Sequence, residues 1–94
     1  MELNNFINTI GYDGNSAIVD KLYFSENKNK NLQDLLDKGK FHAAAAYAVY
    51  NDDENGLQTI ADKYNELSGS HYKKDQIKRL FGISKVQTKK YIFL

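Results

Sequence analysis

Seven basic side chains, Lys73, Lys74, Lys78, Arg79, Lys85, Lys89 and Lys90, crowd residues 72–94 against a single acid, Asp75, for a local balance of +6. Residues 1–71 hold six lysines against eleven acids, a balance of −5. The formal net charge of +1 therefore conceals an acidic body joined to a basic end. Clustered ammonium and guanidinium groups attract polyanions or a charge-complementary protein surface. The chemistry this pattern suggests is binding.

Other constellations carry less. Asn51, Asp53, Asn55, Gly56 and Asp62 stand at positions 1, 3, 5, 6 and 12 of a calcium-loop spacing. Position 1 is neutral, position 12 is a short Asp where a bidentate Glu belongs, and the apolar position 8 is Gln58. These residues read better as an acidic turn before a helix, whose positive end favours Asp53 and Glu54. Ser68, Ser70 and His71 have no strand-elbow signature and no partner to orient the imidazole. His42 and His71 lie far apart, with no carboxylate at helical spacing from both, and so make no metal site. A phosphate-binding glycine loop is absent. The chain is expected to be no enzyme, to carry no metal or cofactor, and to take no small-molecule substrate.

The elements that must position the basic residues follow from composition and periodicity. Ninety-four residues make one domain, 41% hydrophobic and 13% aromatic, enough for a packed core. There is no cysteine and no proline, and only six glycines interrupt the chain, which shifts the expectation toward helices. Leu3, Phe6, Ile7 and Ile10 recur at helical spacing before Gly11. Ile18, Val19, Leu22 and Tyr23 predict a second helix over residues 17–24, capped by Asn15 or Ser16. The alternative there is a hairpin turning at Asp13 and Gly14. Residues 25–31 read as an exposed loop. Leu32, Leu35 and Leu36 begin a helix that Gly39 ends, and residues 41–50 form another around an alanine run. Leu57, Ile60, Ala61, Tyr64 and Leu67 give the strongest amphipathic pattern. A further helix is expected over residues 72–81. The predicted fold is a single all-α domain of five to seven short helices, an acidic helical body (1–71) followed by a basic segment (72–94). For residues 86–94 a strand is the alternative, since Val, Thr, Tyr, Ile and Phe favour one.

Residues 76–92, with Gln76, Ile77, Phe81, Gly82, Ile83 and Ser84, resemble the helix-turn-helix of bacterial DNA-binding proteins. The resemblance covers under a fifth of the chain. It implies a turn at Gly82, a cap at Ser84 and a recognition helix over residues 85–92 lying in the major groove. The nucleic-acid-binding residues would be Lys73, Lys74, Arg79, Lys85, Lys89 and Lys90, with Gln87 as a base reader. Lys78 departs from the family's small residue at the helix crossing, and Thr88 from its apolar one. The facing of Val86 distinguishes the readings, because a buried Val86 would rotate the basic face away. Gly39, Phe41 and Ala44 resemble the junction of a tetratricopeptide-like helical hairpin, in a single copy.

The leading expectation is a small regulatory protein that binds nucleic acid, putting its basic segment on DNA. The alternative is a helical protein-interaction module, an adaptor or regulator that meets a protein partner or a second copy of itself through an apolar patch. A third use of the same charges is internal docking against the acidic turn at Asp52, Asp53 and Glu54. The ending Tyr91-Ile92-Phe93-Leu94 is unusually apolar for a chain terminus and is expected to pack on the body. No stretch approaches the roughly 18 apolar residues of a membrane span and no basic leader precedes an apolar run, so the protein is expected in the cytoplasm, away from membranes.

Overall fold

Among the described residues a three-stranded mixed sheet joins six helices, so the all-α expectation is overturned. The computed structural model describes residues 2–85 and 87–94. Helix α1 (Leu3–Ile7) leads into β1 (Thr9–Asp13), which turns back as β2 (Ser16–Val19). Gly14 and Asn15 form a two-residue loop, and Gly14 takes the positive φ of 61° that the first loop position of a II′ hairpin requires. The helix expected over residues 17–24 is thus a strand and then a helix. Ala17 and Val19 alternate inward between half-buried Ser16 and Ile18, a period of two that β-branched residues satisfy in a pleat.

Helix α2 (Lys21–Asn27) starts at Asp20, whose carboxylate accepts the Tyr23 N–H at 2.8 Å. It occupies part of the segment expected to be an exposed loop. Its last residue is buried: Asn27 donates from Nδ2 to Asn8 Oδ1 at 3.2 Å, and Asn8 Nδ2 donates to the Asn4 carbonyl at 2.7 Å. At its other end the Lys21 N–H donates to the Leu94 carbonyl, and Phe24 meets Phe93 edge-on at 6.1 Å. Helix α2 therefore ties the sheet to the helical body.

Helices α3 (Leu32–Asp37), α4 (Phe41–Tyr50), α5 (Glu54–Ser68) and α6 (Lys74–Leu80) lie where the apolar spacing puts them. Helix α4 is central. Ala43, Ala44, Ala45, Ala46 and Ala48 are all buried, and such small side chains let α1, α3 and α5 approach closely. Leu35, Leu36, Leu57, Ile60, Ala61, Ile77 and Ile83 complete the core. The aromatic rim includes Tyr64, against which Phe41, Tyr72 and Phe81 pack at 5.4–5.8 Å.

Gly82 does turn the chain, but not into a second helix. With φ at 63°, it ends α6 in a Schellman cap: its N–H reaches the Arg79 carbonyl, and the Ile83 N–H reaches that of Lys78. Ile83 is thereby driven into the core. The described residues from 83 to 89 are not helical, and β3 (Lys90–Phe93) then pairs in parallel with β2. Tyr, Ile and Phe find in that ladder the strand partners a solvated helix would deny them. Among the described residues, no helix is long and apolar enough to cross a membrane.

Candidate interaction surface

The basic residues singled out above do not gather on one helix. Lys73, Lys74 and Arg79 belong to α6 or its N-cap, Lys85 and Gln87 to the connection, and Lys89 and Lys90 to the entry of β3. Two are already engaged with the body: Lys74 Nζ lies 3.2 Å from Glu54 Oε2, and Lys85 Nζ lies 3.2 Å from Asp52 Oδ1. Lys78 lines the same cleft of about 300 Å³, above Val49, Leu57 and Ile83. Internal docking on the acidic turn thus absorbs part of the positive charge, through exposed pairs of small individual worth. Asp53 caps α5 by accepting the Gly56 N–H at 2.9 Å, so the turn's oxygens serve capping and ion pairing. Among the described residues, no three His, Asp or Glu side chains gather as metal ligands. Val86, whose facing was to distinguish the readings, lies outside the described residues. The recognition helix expected over residues 85–92 is replaced by a strand at its C-terminal half, because β2 offers residues 90–93 a ladder.

That strand is the most exposed apolar element of the fold. Sheet order is β1-β2-β3, so β3 forms one edge, with Tyr91 37%, Ile92 39% and Phe93 43% exposed and Leu94 beyond them 68% exposed. The ending pairs with the body, as a ladder strand, yet does not bury its side chains. Register fixes its two faces. Tyr91 lies in a row with Ala17 and Tyr12, and Phe93 with Val19 and Thr9. The other face carries Ile92 beside Ile18 and Gly11, and Lys90 beside Ser16 and Asp13.

On the first face the rings continue from strand to helix: Tyr91 and Phe93 are 6.5 Å apart, and Phe24 closes the row. Burial pushes the Tyr12 hydroxyl above the usual phenol range, a hydrogen bond with Thr88 opposes this, and nearby Tyr91 reinforces it. The Lys89 N–H donates to the Asn15 carbonyl at 2.9 Å. At the far end Leu94 bonds the β2 side with both its N–H, to the Val19 carbonyl, and its carbonyl, from the Lys21 N–H, so strand alternation counted back from it turns the backbone groups of Tyr91 and Phe93 outward, where no described strand meets them. Lys21, Lys89 and Lys90 surround this edge, are exposed, and take part in none of the ion pairs among the described residues.

A narrow cleft of about 100 Å³, with Thr9 and Tyr12 among its lining, lies between β1, α4 and the turn after α6. His42 stands in it with its ring edge-on to Phe81 at 6.3 Å, and burial holds its pKa below the ordinary histidine range. Tyr23 is pushed up by burial, with the Lys40 ammonium 4.8 Å over its ring pulling the other way.

Sequence reasoning named Lys89 and Lys90 for this surface but missed Lys21 and Ile18, which only the parallel pairing of distant segments brings alongside them. The apolar character of residues 91–94 was the available signal. No protein-family model, no curated protein and no solved structure matches the chain.

Proposed function

We propose that this chain is a protein-interaction module, without enzymatic activity, that receives an extended segment of a partner along the outer edge of β3. The observation that carries the reading is the uniform exposure of Lys90–Phe93, an apolar edge strand that the fold leaves open on its outer side. Edge strands of this kind are templates for pairing, and β-augmentation uses them: main-chain hydrogen bonds give affinity and alternate side chains give specificity. Tyr91 and Phe93 are the rigid aromatic anchors such an interface favours.

Tyr91→Pro tests the proposal, because proline at an outward position removes a donor from the open edge and none from the β2 ladder. A blocked peptide of alternating valine and threonine should shift the backbone amide resonances of residues 90–93 in the wild type. It should fail to shift those of the variant, whose far-ultraviolet circular dichroism stays unchanged. Equal binding by both would refute the reading.

A second reading keeps nucleic acid as the ligand, since Lys89, Lys90, Tyr91 and Phe93 combine cations and rings as single-strand platforms do. It ranks second on two observations. Phe93 is packed against Phe24 and close to Tyr91, and the aliphatic Ile92, Ile18 and Leu94 of the same surface have no use for phosphates. Salt-sensitive binding of a single-stranded oligonucleotide that Lys89→Glu with Lys90→Glu abolishes would reverse the order.

A further inference from the structure

Resting on the sheet-edge reading, we infer that the occupant of β3 is an extended segment carrying acidic side chains at both ends of a short apolar run, and that a second copy of this chain is disfavoured. The charges at the two ends of the edge decide this. Lys89 and Lys90 stand where β3 begins, and Lys21 stands where it finishes, its N–H holding the Leu94 carbonyl. None of these lysines takes part in an ion pair among the described residues; the Asp20 carboxylate is directed to the Tyr23 N–H, and Asp13 lies two strands away in the row of Lys90. An incoming strand thus meets apolar side chains in the middle and unpaired ammonium groups at each end.

A second copy of β3 fits this badly in either direction. Laid parallel in register, it sets Lys89 and Lys90 against themselves across a strand spacing of about 4.8 Å. Laid antiparallel about Ile92, it sets Lys90 opposite Leu94 and beside Lys21. Both arrangements gather like charges well inside a screening length of about 8 Å. Lysines on an edge are a known device against such pairing. The same lysines favour a strand of opposite sign. Residues 90–94 span four steps of about 3.3 Å, roughly 13 Å, so acids four or five positions apart reach both ends. Electrostatic complementarity of this sort selects the partner and sets its register more than it adds affinity.

Three blocked peptides test the inference by amide chemical-shift titration of the full chain. Each has four alternating valines and threonines, flanked by glutamates five positions apart, by glutamines, or by lysines. The glutamate peptide should bind through residues 90–93 about tenfold more tightly than the lysine peptide, with a gap that narrows in high salt. Lys21→Glu with Lys89→Glu and Lys90→Glu should invert the preference. Equal affinity for the glutamate and glutamine peptides would overturn the acidic preference and leave the sheet-edge reading standing. If no peptide moves these amides, the sheet-edge reading itself fails. Concentration-dependent shifts of the same amides in the free protein would identify a second copy as the occupant, and shifts with a single-stranded oligonucleotide alone would identify nucleic acid; either result overturns the inference.

Discussion

Asn27→Ala should cost far more than its place near a surface turn suggests. The side chain is 1% exposed, its partner Asn8 is fully buried, and no buried side-chain polar atom among the described residues is left unsatisfied. Truncation strips Asn8 Oδ1 of its donor in a site with no solvent to replace it, a loss of about 1–3 kcal/mol. The vacated volume adds to this, giving roughly 2–3 kcal/mol. A domain of this length is held by about 5–14 kcal/mol in total. In urea, with a slope near 1–1.5 kcal/mol/M, the midpoint should fall by roughly 1.3–3 M. Asn8→Ala alone should be costly for the converse reason, an Asn27 amide without its acceptor. The double variant should cost about 1 kcal/mol less than the two singles added, since it leaves fewer orphaned groups. A midpoint shift under about 0.3 M, or strict additivity, would refute the reasoning. Because α2 ends in Asn27 and begins against Leu94, hydrogen exchange at the Leu94 amide should also quicken in Asn27→Ala.

His42 should make stability fall as acid is added just below its ordinary pKa of 6.5. Burial depresses the folded value, so the unfolded chain binds the proton first: the cost is absent above 6.5, grows as pH falls through the window beneath it, and levels off below the folded value. Replacing it by Gln should flatten the urea midpoint between about pH 7.5 and 5.5 relative to wild type, and parallel profiles would count against the assignment. Gly82→Ala should lower the melting temperature by about 4–8 °C through a strained left-handed backbone worth about 1 kcal/mol. Open space surrounds the position at which a Cβ would stand, so an unchanged melting temperature would contradict the left-handed cap.

The helices from α3 to α6 were legible because each writes its apolar period and its stop signal locally: Gly39 after α3, the buried alanines of α4, the stripe from Leu57 to Leu67 in α5. The sheet was not. Ile18, Val19, Leu22 and Tyr23 satisfy a helical stripe as well as a strand followed by a helix, and Gly14 with Asn15 is the only local mark of the hairpin. Pairing of residues 16–19 with residues 90–93 leaves no local trace at all, since it depends on two distant segments meeting. The same applies to Asn8 and Asn27, polar residues that composition assigns to the surface. Of the candidate site, the cations Lys89 and Lys90 and the apolar ending were visible in sequence. Their assembly as an edge was not, and Gly82, read as the turn of a DNA-binding motif, proved to be a helix cap whose following chain is extended.

The parallel ladder between β2 and β3 also sets an order of assembly. Contacts within α3 to α6 join near neighbours in sequence and can form early, whereas β3 must close nearly the whole chain before it meets β2. Until then β1 and β2 are an isolated hairpin, marginal in water. Residues 90–93 are therefore among the last to become ordered on folding and among the first to detach on local opening. The strand proposed to recruit a partner exists as a strand only once the fold is complete, so a nascent or damaged chain offers no docking edge.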